Sequence, residues 1–366
     1  MNQALATGID YRRVPLAMVV IALIAIPISF LQTRAGVLEG HPTFVALFGF
    51  ASLSVVGFLS YWFVFRQLPA RVKRNPFLIL FAVFAYATML DLLIALSLLG
   101  YTDVMNGYFE TGEPYLKSSY GMACNLWDGT AHLAMYVGMA YYLAKSEPHR
   151  RLAMFWTGSL MSACGIYMLG NLIGEYAEYI EPSYAINIPF MIVPVFYAWK
   201  IVSDDKTPVG TGRAALAAHD YVLALGLLAL AFLCAFRMLV VLNPTVSLTH
   251  NWAANVEPYL LAPARYPQMQ MLAYGFTLMP FTVLAALSLW RAPSRGIAIW
   301  AWLFAGFVCQ GQFAHIVGNL NAATKDTQFA IGQGAMLQYW SANLLVVLIP
   351  LWFAWRYEDK LRGAQR

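Results

Sequence analysis

Charge is what this sequence has least of. Only 11% of its 366 residues are Asp, Glu, Lys or Arg, against roughly a quarter in average soluble domains, which excludes an ordinary water-soluble architecture. Cysteine is scarce as well. Cys124, Cys164, Cys234 and Cys309 all fall in apolar stretches, with no spacing for a disulfide framework or a metal site, so they read as small packing residues. Phosphate-cradling glycine loops, paired-histidine metal motifs and nucleophile elbows are missing too. That argues against an ATP-driven pump, and no cofactor or resident metal is expected.

What is present is apolar: 60% of the residues are hydrophobic and 15% aromatic. A bilayer core of ~30 Å needs about 20 such residues in a row. Ten stretches qualify, near 14–33, 43–65, 77–99, 121–144, 153–174, 184–202, 220–242, 268–290, 297–319 and 338–356. The expected fold is all-α, a polytopic membrane helix bundle of about ten transmembrane helices. The first stretch follows Arg12 and Arg13 and is as long as a full span, so it reads as an uncleaved helix rather than a signal peptide.

Basic residues divide unevenly between the two sides of such a bundle. One side collects Arg12, Arg13, Arg66, Arg71, Lys73, Arg74, Lys145, Arg150, Arg151, Lys200, Lys206, Arg213, Arg291, Arg295, Arg356, Lys360, Arg362 and Arg366; the other holds Arg34, Lys117, Arg265 and Lys325. By the positive-inside rule the richer side is cytoplasmic, and an even number of crossings puts both termini there. The basic balance therefore needs no nucleic-acid partner. The opposite face carries Asp103, Glu110, Glu113, Glu175, Glu178, Glu181 and Glu257.

Self-similarity organises the rest. Glu113-Pro114-Tyr115-Leu116 returns as Glu257-Pro258-Tyr259-Leu260, Gly170-Asn171-Leu172 as Gly318-Asn319-Leu320, and Phe196-Tyr197-Ala198-Trp199 as Trp352-Phe353-Ala354-Trp355. The order is kept, with offsets of about 144 to 156 residues. This predicts two parallel four-helix repeats, 71–203 and 214–358, behind a two-helix segment, 1–70. Each repeat has an even number of spans, so an axis along the membrane normal would relate them.

Ionisable groups inside spans are costly and need a partner or a reason. Asp91 lies in the third span. Asp128 and His132 lie in the fourth, four residues apart and on one face, beside Trp127. Asp128 would orient or charge His132 for proton transfer or for holding a polar head; the plainer alternative is a hydrogen-bonded cluster gluing helices. Asn171 and Asn319 mark outer helix ends and serve either as site linings or as caps. Arg237 occupies in the second repeat the place of Asp91 in the first, so an ion pair across the repeats is conceivable. His315, Gln310 and Gln312 make the ninth span polar. The second repeat reads Gln270-Met271-Leu272-Ala273-Tyr274-Gly275 where the first has Asp128 and His132, which makes the first the better equipped.

At these residues the chain resembles the transmembrane 6 superfamily, whose members carry two EXPERA domains related to emopamil-binding protein and the sigma-2 receptor. The resemblance rests on Gly112-Glu113-Pro114-Tyr115-Leu116, Trp127-Asp128-Gly129-Thr130-Ala131-His132, Gly170-Asn171-Leu172-Ile173-Gly174 and Ile188-Pro189. It continues through Arg237-Met238-Leu239-Val240-Val241-Leu242, Val256-Glu257-Pro258-Tyr259-Leu260, Tyr266-Pro267, Gln270-Met271-Leu272 and Phe304-Ala305-Gly306. It implies a pocket open toward lipid that takes sterols or similar amphiphiles, and lipid handling in endoplasmic reticulum or Golgi membranes; the Ala-rich spans point separately to a bacterial source, for which the membrane is the inner one. The expected partners are a lipid or sterol ligand and the bilayer; a homodimer is compatible with this reading. Asp128 and His132 become the candidate catalytic pair. Asp91, Glu113, Trp127, Asn171, Glu257, His315 and Asn319 become candidate ligand-binding residues. A related isomerase has His then Glu where this chain has Asp128 then His132, so double-bond isomerisation stands as the alternative to lipid binding or transfer.

Overall fold

The computed structural model describes residues 11, 13–205 and 216–363, without the side chain of Arg71. Arg12, Lys206, Arg213 and Arg366 of the charge count therefore lie outside the described residues, as do residues 1–10 of the N-terminal segment and the start of the second repeat at 214. The described residues are helical, with no strand among them.

Among the described residues nine segments are long and apolar enough to cross a membrane: α1 (Arg13–Arg34), α2 (Pro42–Gln67), α3 (Pro76–Leu98), α5 (Arg150–Ile173), α6 (Pro182–Asp204), α7 (Ala218–Leu242), α8 (Tyr266–Ser288), α9 (Arg295–Lys325) and α10 (Thr327–Gly363). Helix α4, residues 119–145, is of similar length and unbroken. It falls short in hydropathy because it carries Asn125, Asp128 and His132. The chain is a polytopic α-helical membrane protein.

Local chemistry sets the helix ends. Pro42 and Pro76 open α2 and α3 at the first helical position, where a missing N–H costs nothing. The preceding His41 and Asn75 side chains accept from the backbone N–H of Thr43 and Phe77. In α1 the ladder breaks at Ile24, four and three residues either side of which stand Val20 and Pro27; the Pro27 ring conflicts with the Leu23 carbonyl and has no N–H to offer it. Gly100, at φ 82°, and Ser146, at φ 56°, take the left-handed turns that close α3 and α4.

Two compact units emerge. The first contains residues up to Lys117, Gly121–Leu152 and Tyr179–Pro189; the second contains Ser118–Tyr120, Ala153–Glu178 and the chain from Phe190 onward. In the first unit α3 is the most enclosed membrane helix, whereas α1 and α2 expose Leu16, Phe30, Phe58 and Phe63, as lipid-facing helices do. Three side-chain bonds tie its loops: Thr33 donates to Val104 O at 2.6 Å, Thr111 to Leu38 O at 2.7 Å and Ser183 to Gly112 O at 2.5 Å.

In the second unit α5 and α9 are the inner helices. They cross with no room for a side chain: a Cβ on Gly158 would sit 2.7 Å from the Leu303 carbonyl carbon, and one on Gly306 would sit 2.6 Å from that of Phe155. Gly158 and Gly306 are as far apart in sequence as Asn171 and Asn319, and so are Phe155 and Leu303. The contact is thus reciprocal between positions separated by the same sequence offset. At the far ends of α7 and α10, Arg356 donates to Asp220 at 2.7 and 2.9 Å, and Lys360 approaches the same carboxylate at 3.5 Å.

Candidate functional site

The first unit gathers the acids predicted from sequence. Gly129 makes this possible: a Cβ there would stand 2.8 Å from Leu92 Cα, so α4 packs against the backbone of α3 beside Asp91. At the same place α4 widens into a π-turn, Asp128–His132, a distortion frequent at functional sites. Within it the His132 ring nitrogen Nδ1 contacts Asp128 Oδ1. His132 is fully buried, and Asp128 keeps 21% of its side chain exposed. Trp127 meets the His132 ring edge-on at 6.3 Å, and Tyr136 lies at 6.3 Å on another side. Phe84 and Phe81 extend that aromatic wall around Tyr136.

Asp91 lies within electrostatic reach of both Asp128 and Glu113. Glu113 itself is caged by donors. Tyr115 donates to it at 2.5 Å, Asn187 at 2.8 Å, and Tyr108 through its hydroxyl. Burial pushes the Glu113 carboxyl above the ordinary carboxylate range, and the three donors only partly offset this. Among the described residues no lysine or arginine pairs with Asp91, Glu113 or Asp128. Asn125 turns away from the group and bonds to Gly121 O at 2.7 Å.

The second unit repeats the cage with a different charge. Glu257 accepts from Trp252 Nε1 at 2.6 Å, Asn343 Nδ2 at 3.3 Å and His315 Nε2 at 3.3 Å. Trp252 stands at the position of Tyr108 and Asn343 at that of Asn187, by the same offsets that relate the sequence repeats. Where the first unit has Asp91, the second has Arg237, whose Nε donates to Glu257 at 2.9 Å and whose Nη2 makes the second bond. The pairing of Arg237 with Asp91 considered from sequence is therefore corrected: Arg237 finds its acid within its own unit, because Glu257 stands beside it at the end of a π-turn, Trp252–Val256. Burial alone would raise the Glu257 carboxyl, but Arg237 and His315 outweigh it and hold it well below the usual range.

A second π-turn, Tyr274–Leu278, sits where the first unit has Asp128–His132, with Tyr274 in place of Asp128. Tyr274 accepts from Gln270, whose oxygen accepts from Tyr120 at 3.3 Å. The second unit is thus more polar inside than the sequence comparison of these two stretches led one to expect.

Of the residues singled out from sequence, Asp91, Glu113, Trp127, Asp128 and His132 come together in the first unit, and Glu257 and His315 in the second. Asn171 and Asn319 join neither group. Asn171, in the second unit, accepts from the Tyr266 hydroxyl, and Asn319 donates to Phe329 O at 2.9 Å. Their preceding glycines make room for rings, Gly170 for Tyr266 and Gly318 for Tyr259. Tyr108, Asn187, Trp252 and Asn343 completed the two cages without having been picked as site residues. Their signal was the repeat offset itself, carried to polar positions outside the matched motifs.

Comparison with known proteins agrees with the fold. The transmembrane-domain model described as "Transmembrane 6 superfamily member 2-like" matches residues 24–211. Proteins named Transmembrane 6 superfamily member 2 are similar over almost the whole chain. That of Homo sapiens is 31% identical over 347 residues, 92% of this chain and 90% of its own. Those of Mus musculus and Rattus norvegicus are each 30% identical, over 92% and 94% of this chain and 91% and 94% of their own. No solved structure matches. With a domain model spanning half of the chain and relatives at this identity along nearly all of it, the protein belongs to the transmembrane 6 superfamily member 2-like family.

Proposed function

We propose that this protein binds, and moves between membranes or leaflets, amphiphilic lipids of sterol type, holding the polar head in the first unit. The observation that carries this is the acid group: Asp91, Glu113 and Asp128 share one region with His132, and among the described residues no lysine or arginine pairs with them. Carboxyl groups kept together at membrane depth repel one another unless protons or a guest relieve them. A guest that donates hydrogen bonds, such as a sterol hydroxyl, relieves them. Trp127, Tyr136, Phe84 and Phe81 supply flat apolar faces suited to a rigid ring system. In this reading the sequence repeats 71–203 and 214–358 are EXPERA-like, ten crossings leave both termini cytoplasmic, and the role is in lipid homeostasis.

A second reading is favoured by one contact. Asp128 and His132 touch through Oδ1 and Nδ1, so a proton placed on one is available to the other. Such a pair suits shifting a double bond in a sterol or terpenoid, by protonating one carbon and removing a proton from another. One experiment separates the readings. Wild type and His132→Ala are purified and incubated with candidate sterols in deuterated water, and the lipids are analysed by mass spectrometry. Unchanged sterol retained by both supports the carrier; deuterium entering sterol with wild type alone favours the isomerase. Absence of any specifically retained sterol in wild type, with Asp91→Asn and Glu113→Gln extracting the same lipids, refutes both.

A further inference from the structure

We infer that the second unit holds its own head-group site, one selective for a neutral hydroxyl-bearing lipid, built from Arg237, Gln312, His315 and Tyr339 around the Glu257 ion pair. The inference stands apart from the reading of the first unit, since none of these residues belongs to it.

Glu257 is fully occupied: Arg237, His315 and Asn343 meet one oxygen, while Arg237 and Trp252 meet the other. The groups around it are not. Arg237 Nη1, His315 Nδ1, Gln312 Oε1 and the Tyr339 hydroxyl have no hydrogen-bond partner, and their side chains belong to residues at most 1% exposed. Native proteins leave few buried polar atoms unpaired, and four of them here sit on residues linked to one ion pair. Gln312 donates to Asn343, which donates to Glu257. Asn343 also donates to the Tyr339 backbone oxygen at 2.7 Å. The unpaired atoms thus belong to residues of one hydrogen-bonded network beside the π-turn Trp252–Val256.

Their chemistry defines the guest. Arg237 Nη1 and Tyr339 offer hydrogens to an oxygen. Gln312 Oε1 accepts one, and so does His315 Nδ1 when Nε2–H donates to Glu257. A hydroxyl supplies both an oxygen and a hydrogen. A free anion competes with Glu257 for the guanidinium, and an ammonium meets Arg237; the ion pair therefore tunes the site to neutral heads. The first unit, with Asp91 in place of Arg237, has the opposite tolerance and accepts an ammonium.

The test uses the full chain in detergent with tritiated hexadecanol, and unlabelled hexadecylamine and palmitate as competitors. Two saturable hexadecanol sites per chain are expected in wild type, hexadecylamine displacing ligand from one only. Tyr339→Phe deletes an unpartnered hydroxyl and should leave the fold intact; together with Gln312→Met it should weaken the amine-resistant site at least fivefold. Glu113→Gln should affect only the amine-sensitive site, so its failure counts against the first-unit reading and not this one. Absence of an amine-resistant saturable site in wild type, or an amine-resistant site indifferent to Tyr339→Phe and Gln312→Met, overturns the inference.

Discussion

Neutralising Glu257 should destabilise the protein severely, whereas neutralising its repeat equivalent Glu113 should not. Glu257 and Arg237 form an ion pair with side chains 0% and 1% exposed. Removing one partner of such a pair strands the other and costs about 3–5 kcal/mol. Arg237→Met leaves Glu257 with Trp252, Asn343 and His315 as donors, which places it near the low end, about 3 kcal/mol. Glu257→Gln leaves the guanidinium with no carboxylate and belongs at the high end, about 5 kcal/mol. The double variant Arg237→Met/Glu257→Gln buries no charge, so it should lie closer to wild type than either single one, with a coupling above about 5 kcal/mol. The assay is equilibrium unfolding in mixed dodecyl-sulfate micelles, followed by tryptophan fluorescence. Additive single-variant effects, or both singles within about 1 kcal/mol of wild type, would refute the claim that the pair is a buried, mutually dependent unit.

Two further outcomes are expected. Glu113 is bound by neutral donors and by no cation, so Glu113→Gln should fall within about 1 kcal/mol of wild type at neutral pH. Because its folded value is raised above the ordinary 4.5, Glu113 favours the folded state most below that pH. The benefit fades as pH climbs through the folded value, so the variant should gain on wild type with rising pH; a constant difference from pH 4 to 8 would count against it. Ala at Gly158 or Gly306 would drive a methyl into a facing carbonyl, and each should cost about 1–3 kcal/mol or more by overpacking. Both should lower the thermal midpoint, and unaltered midpoints would mean that α5 and α9 do not cross so closely.

Much was legible without coordinates. Scarcity of charge and the lengths of the apolar runs dictate a helical membrane bundle, because a backbone in lipid must bond to itself. Helix α4 was legible as the stretch 121–144 yet is the least apolar of the ten, because Asn125, Asp128 and His132 lie in it. The spacing of Asp128 and His132 also foretold their contact, since residues four apart on a helix are neighbours whatever surrounds them. The repeat offset held the positions of Asn187 and Asn343 in advance, although nothing local in either stretch announces a ligand of a distant glutamate.

What sequence could not decide is which ionisable group meets which. Arg237 and Asp91 occupy equivalent places, and opposite charges made a pair between repeats a natural guess; the backbone instead delivers Glu257 to Arg237 across a loop and a π-turn. Asn171 and Asn319 looked like site residues by recurrence, yet each is turned to a partner of its own, Asn171 to the Tyr266 hydroxyl and Asn319 to the Phe329 carbonyl. Helix periodicity and burial are properties of a few neighbouring residues and can be read along the chain. Charge pairing depends on ångström-scale approach between segments far apart in sequence, fixed by features such as Gly129 against Leu92, and only the folded structure sets that.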